Sequence, residues 1–211
     1  MIPSVPEPNI ENAYVRELGY ARRYRDERFC TGSGPRTHAR ERDALARLLR
    51  HPCVAPGLWL DLPSGAGRMS ELLPGAVVQV DRDPEMVALC AGGAGRVCAS
   101  GFALPFRDAA FTGALCHRLV QHLEQSSQRL ALFRELRRIT KGPVILSYFD
   151  ANSLQHLRRR ISGWLGKRSR RHAVTHDRIA TELSSAGLTV VARTALLRFV
   201  SEQTLALAFP T

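Results

Sequence analysis

The sequence is short of acid. Nineteen Asp and Glu stand against thirty Lys and Arg, a formal net charge of +11 over 211 residues. It also has no apolar run near the roughly 20 residues that span a bilayer, so no transmembrane helix is expected. The opening stretch, MIPSVPEPNIEN, lacks the basic-then-apolar pattern of a signal peptide, and a cytoplasmic location is the expectation. The five cysteines, Cys30, Cys53, Cys90, Cys98 and Cys116, form no C-x-x-C pair. An odd, dispersed set excludes a disulfide framework and a zinc signature, leaving small buried hydrophobes and no expected metal. No internal repeat and no low-complexity segment occur.

What is present is basic charge, unevenly spread. RRRISGWLGKRSRR, Arg158 to Arg171, carries seven Lys and Arg and no acid. Such an imbalance implies an acidic partner: nucleic acid, an anionic lipid surface or a phosphorylated substrate. The length suits one substantial domain. Residues 1 to about 12 read as a loose arm. AYVRELGYARRYRDERF then reads as a helix with Tyr14, Leu18 and Ala21 on one face, and the segment from Thr31 to Pro52 as turn residues followed by a second helix.

From there strand and helix alternate. GLWLDL, AVVQVD, RVCAS, GALCHRL and GPVILSYFD read as strands. RMSELL, DPEMVALCAGG and QSSQRLALFRELRRIT read as the helices between them, with Pro84 in the first turn of the second. THDRIATELSSAGLTVVART gives a helix and a strand, and RFVSEQTLALAF a last strand. This order predicts a doubly wound α/β sheet whose final strand pair forms an antiparallel edge.

In such sheets ligands bind at the carboxyl ends of the central strands. Asp61, Gly65 and Gly67 fall at the end of the first strand, where glycine lets backbone approach a ligand. Asp81 ends the second strand, 14 residues beyond Gly67. An acid there can accept both hydroxyls of a ribose, so the pair predicts a nucleoside pocket. No G-K-[ST] follows, which removes the Walker phosphate grip, and Ser70 stands where the dinucleotide pattern has its third glycine.

LWLDLPSGAGR, VVQVDRDPEMV, FALPFRDAAFTGALCHRLVQHL and FRELRRITKGPVILSYFD together resemble, in order and spacing, the successive motifs of class I S-adenosylmethionine-dependent methyltransferases. The nearest branch is the one with an L-P-F-x-D-x-x-F segment, the type 11-like branch. The resemblance spans about residues 55 to 195. It implies a Rossmann-like sheet of seven strands with a reversed last hairpin, and S-adenosylmethionine as cofactor. Residues 1–52 would be an arm and helical cap, and residues 53–211 the methyltransferase domain with a basic insertion at about 152–173.

The resemblance also assigns roles. The backbone of Pro63, Ser64, Gly65 and Gly67, between Asp61 and Arg68, would hold the methionine portion. Asp81 would hold the ribose, Arg82 and Met86 the adenine surroundings, and Ser100, Gly101 and Phe102 the adenine edge. Cys116 and His117 would face the sulfonium and the acceptor. Two positions depart from the family. Pro63 replaces the first loop glycine, and Ser100 replaces an aspartate that accepts from the adenine amino group.

Methyl transfer from a sulfonium is an in-line displacement governed by alignment, and needs a base only where the acceptor must lose a proton. His117, directly after the fourth strand, is the first candidate base and His122 the second; His172 and His176 could enter from a lid. Tyr14, Tyr20, Tyr24 and Phe29, among Arg22, Arg23 and Arg25, would cap the cofactor. Leu154, Leu157, Ile161 and Trp164 or Leu165 make an apolar stripe among arginines, the pattern of a basic amphipathic helix. The expected acceptor is a small molecule or an anionic, lipid-linked one, with peripheral membrane contact. RNA methylation and a non-catalytic binding protein are the alternatives.

Overall fold

The computed structural model describes residues 19–158, 171–197 and 201–211. Tyr14, Leu18, Ile161, Trp164, Leu165 and all but the two ends of the basic run therefore lie outside the described residues.

Five parallel strands make the frame: β1 (Gly57–Asp61), β2 (Gly75–Asp81), β3 (Gly95–Cys98), β4 (Gly113–Cys116) and β5 (Val144–Asp150). β6 (Ala173–Val174) adds a short parallel bridge to the end of β5. β7 (Leu188–Ala195) and β8 (Gln203–Pro210) complete the order β3-β2-β1-β4-β5-β8-β7. The helices are α1 (Tyr20–Glu27), α2 (Gly34–Leu49), α3 (Pro84–Leu89), α4 (Ser126–Ile139) and α5 (His176–Ser184).

Side chains alternate across this sheet with the strand period of two. Trp59, Leu115, Ile145, Leu205 and Leu207 face one side and pack with Ala44, Leu45 and Leu48 of α2. Leu60, Ala114, Leu146, Ala206 and Ala208 face the other and pack with Phe133 and Leu136 of α4 and Ile179 and Leu183 of α5. Helices thus cover both faces, and strands buried on both sides read as continuous apolar runs. β5 is buried at every residue. Asp83, whose side chain accepts from the Glu85 N–H at 2.9 Å, starts α3 ahead of Pro84. Thr175 caps α5 through the Arg178 N–H.

One expectation is corrected. RMSELL forms only one 3₁₀ turn, Ser70–Leu72, rather than a helix. Only residues 62–74 join β1 to β2, and much of that length makes the turn above the strands, where Ser64 N–H donates to Val80 O at 2.8 Å and Gly67 N–H to Ser64 O at 2.9 Å. Pro74 then stops any continuation. The final strand pair forms the antiparallel edge, as expected. β8 lies between β5 and β7, antiparallel to both, and β7 is the outer strand. Apolar residues on both faces, from Leu205 to Ala208, explain why it is interior.

Candidate active site

The carboxyl ends of β1, β2 and β4 open into a cavity of about 1000 Å³. The turn after β1 and the turn after β2 meet at Asp81. Its carboxylate accepts from the Gly65 N–H at 2.9 Å and from the Asp83 N–H at 3.0 Å. Asp81 thereby fixes the two backbone segments that carry the pocket. Asp61 lies deeper and accepts from Ser70 Oγ at 2.6 Å, which in turn accepts from Gln79 Nε2 at 2.9 Å. Burial pushes the Asp61 carboxyl up to about 7, against that hydrogen bond.

Most residues expected at the site line this cavity. Asp61, Pro63, Ser64, Gly65 and Arg68 do so from the first turn, and Asp81, Arg82 and Met86 from the second. Ser100, Gly101 and Phe102 close one side, while His117 and His122 flank the end of β4. Tyr20, Tyr24, Arg25 and Phe29 roof the cavity from α1 and its end.

Gly67 and Cys116 do not reach the cavity. A Cβ on Gly67 would lie 2.7 Å from Gln79 Nε2 and 3.7 Å from Cys90 Sγ, so Gly67 is glycine to pack the turn and not to meet a ligand. Cys116 is wholly buried among Leu60, Ala114 and Leu146, and burial pushes its thiol far up. Gly65 is the opposite of Gly67. At φ 54° it is left-handed, and a Cβ there would meet nothing within 4 Å. Gly65→Ala is therefore expected to weaken cofactor binding about tenfold or more with a stability cost near 1 kcal/mol. Gly67→Ala is expected to lower the melting temperature by more than Gly65→Ala does. Calorimetry and thermal melts of the pair check the assignment, and an exchange of the two effects would reverse it.

The central feature missed in the sequence is Glu41. It comes from α2, is fully buried, and sits among Arg68, Arg118 and His117. Arg68 Nη2 and Arg118 Nε each donate to it at 2.7 Å, and His117 Nε2 lies 3.8 Å away. Arg68 lies over the Phe29 ring at 3.9 Å, a cation–π contact, and its other guanidinium nitrogen is 2.7 Å from His38 Nδ1. Arg118 holds a left-handed φ of 64°, fixed by its N–H donating to Ser147 Oγ at 2.7 Å. Burial alone would raise the Glu41 carboxyl, but His117, Arg118 and Arg68 reverse the sign and hold it at about 2. The signal was legible: Glu41, Ala44, Leu45 and Leu48 share one helical face, an acid within an apolar stripe.

The two histidines differ. Burial lowers His117 to about 3 despite the neighbouring Glu41, so the ring is neutral at ordinary pH. Gln203 Nε2 donates to its Nε2 at 3.1 Å. A ring so depressed and so partnered is a weak proton acceptor. His122, in the 3₁₀ turn Val120–His122, is exposed at the rim of the cavity. A histidine-selective NMR titration should find no His117 inflection near the ordinary 6.5; one there would contradict the burial argument. His172 donates its N–H to Gln121 O at 2.8 Å, and His176 Nδ1 lies 2.6 Å from the Tyr148 hydroxyl; neither lines the cavity.

An α/β sheet with a nucleoside-sized cavity over its central strand ends, an acid at the tip of β2 and an inserted antiparallel β8, is the class I methyltransferase architecture. Residues 60–146 match the family model of a methyltransferase domain, and the fold is that of the class I S-adenosylmethionine-dependent methyltransferases. It is similar in fold to magnesium protoporphyrin IX methyltransferase of Synechocystis with bound S-adenosylhomocysteine. That match has 17% identity and a TM-score of 0.70, and covers 83% of this chain and 85% of that one. A Pyrococcus horikoshii protein is similar at 19% identity and TM-score 0.69, over 90% of this chain and 99% of that one. A chain of the Haloferax volcanii complex between the Trm112 methyltransferase activator and a methyltransferase is similar at 17% identity and TM-score 0.66. There, 93% of this chain and 99% of that one are covered. No curated protein sequence matches the chain.

The residues present fit S-adenosylmethionine. Asp81 offers a carboxylate to hydroxyls, Gly65 leaves its side of the backbone open, and Met86 gives an apolar surface beside them. The bound cofactor supplies an activated methyl group on sulfur. Ser100 accepts from the Phe102 N–H at 3.3 Å, so it shapes its turn as well as lining the cavity.

Proposed function

We propose that this chain transfers the methyl group of S-adenosylmethionine to a small anionic or lipid-linked acceptor. The carrying observation is the cavity itself. At about 1000 Å³ it stands at the upper end of the range of roughly 300–1,000 Å³ for ligand pockets, which leaves room for an acceptor beside the cofactor. Its lining is divided by charge. Asp61, Asp81, Asp83 and Glu85 occupy the β1 and β2 end alongside Arg68 and Arg82, while the charged groups on the cap and β4 side, Arg25, Arg28, Arg118 and Arg171, are all basic. The acidic end suits hydroxyl and ammonium groups, and the basic side suits a negatively charged acceptor.

The chain's own residues then have defined tasks. Asp81 positions the cofactor, α1 excludes water from above, and Glu41 holds Arg68 and Arg118 in place at the acceptor side. His122 is the candidate to take a proton at the rim if the acceptor is a hydroxyl; His117 is placed to position and not to titrate.

RNA is the second reading, carried by the net charge of +11. Its basic run between Arg158 and Arg171, and the amphipathic stripe beyond the exposed Leu154 and Leu157, fall outside the described residues. The test is methyl transfer from labelled S-adenosylmethionine into three fractions: small anionic metabolites, lipid extract and RNA. Label in the first or second supports the proposal, and label only in RNA replaces it. Filter binding to RNA at two salt concentrations and sedimentation with anionic vesicles separate the macromolecular partners. Retention of neither at low salt leaves a soluble small molecule as the acceptor.

A further inference from the structure

A second pocket of about 310 Å³ abuts the cofactor cavity, and Arg28, Arg118 and Arg171 line both. We propose that this arginine-lined pocket seats an oxyanion, a phosphate or a carboxylate, carried by the methyl acceptor. The inference rests on the methyltransferase reading and narrows its substrate.

Four guanidinium groups converge there from separate parts of the fold. Arg28 ends α1, Arg40 lies on α2, Arg118 follows β4 and Arg171 precedes β6. Arginine forks match the geometry of phosphate and carboxylate. One carboxylate, Glu202, lines the same pocket, and it lies 3.5 Å from His156 Nδ1. Arg118 is tied to Glu41, which fixes its guanidinium at the wall between the two spaces. Neither Arg28 nor Arg40 has an ion-pair partner among the described residues.

The remaining lining agrees with this. Ser33 and Thr37 come from the start of α2, a helix of 16 residues with no acid in its first turn and no side-chain hydrogen bond from its N-cap Ser33. The positive end of that helix therefore adds to the arginines. Phe149, Leu196 and Leu197 supply an apolar wall. An acceptor anchored here by its charged group reaches the cofactor cavity past Arg118. That puts the group to be methylated on the other side of the shared arginines.

The test uses the full chain saturated with S-adenosylhomocysteine, which occupies the cofactor part of the larger cavity. Pyrophosphate and citrate are titrated by calorimetry into wild type, R40Q and R40K. Arg40 lines the second pocket alone, so its replacement leaves the cofactor surroundings untouched. The expected result is saturable binding of at least one probe, weakened about tenfold in R40Q and less in R40K, with S-adenosylhomocysteine affinity within about twofold of wild type. Wild-type affinity for the probe should also fall as salt rises. The preferred probe tells phosphate from carboxylate. Failure of both probes to bind, equal binding by R40Q, or indifference to salt would overturn the proposal. Failure of wild type to bind S-adenosylhomocysteine would instead overturn the methyltransferase reading.

Discussion

Asp81→Ala should lose S-adenosylhomocysteine binding by about 100-fold or more, roughly 2.7 kcal/mol. Two losses combine. The carboxylate is placed to accept from a ribose, and hydrogen bonds to a charged acceptor contribute roughly 1.5–3 kcal/mol. It also accepts from the Gly65 and Asp83 N–H groups, so its removal frees both turns that carry the pocket. Asp81→Asn keeps an oxygen for one of these donors and should fall between. Titration calorimetry measures the affinity, and a thermal melt of the same proteins separates a loosened site from a general loss of stability. Binding by Asp81→Ala within about twofold of wild type would remove Asp81 from the cofactor site altogether.

The sequence carried this residue plainly because its two roles lie in one place. An acid closing an apolar β-branched run is local information. So was the turn after β1, where the strand, the aspartate and the glycines appear together. What failed there was the distinction between Gly65 and Gly67. Both have positive φ, and only the tertiary contact with Gln79 shows that Gly67 packs the turn while Gly65 faces the open cavity. The same holds for Cys116 and His117. Adjacent residues of a strand end point to opposite faces, and the sequence does not say which face is the core. The order within the final pair, β8 inside and β7 outside, was left open by the sequence for a related reason. Apolar residues on both faces mark a central strand, but its partners are chosen by connections made far away in the chain.

Arg68 and Arg118 show a different limit. Arg68 read as part of the cofactor loop and Arg118 drew no reading, yet each is held by one acid from α2. Ion pairs between elements 27 and 77 residues apart leave no local pattern beyond an acid on an apolar stripe.

Glu41→Ala should be the most damaging single change to the fold. It leaves two largely buried guanidinium groups and His117 without their shared carboxylate, and breaking a buried pair costs about 3–5 kcal/mol. The side chains of Arg68 and Arg118 keep 19% and 17% of their exposure, which places the expected cost at the lower end. For a chain of this size about 3 kcal/mol lowers the melting temperature by about 6–12 °C.

The pH dependence identifies the cause. Glu41 is depressed in the folded protein from 4.5 to about 2. Its contribution is therefore complete above pH 4.5 and disappears as pH falls to about 2. His117 is lowered from 6.5 to about 3, so the unfolded chain takes up that proton first and stability falls as pH drops through that window. In wild type the two acid limbs overlap between pH 4.5 and about 3. In Glu41→Ala the lower limb should vanish, and the His117 limb should extend to lower pH, because the neighbouring carboxylate that favours the imidazolium is gone while Arg68 and Arg118 remain. Glu41→Gln keeps hydrogen-bond acceptance without charge and should recover part of the melting temperature but not the lower limb. Denaturation followed at a series of pH values measures both. An unchanged acid limb in Glu41→Ala would mean that Glu41 carries no charge in the folded protein, and that the cap is held on the sheet by its apolar face alone.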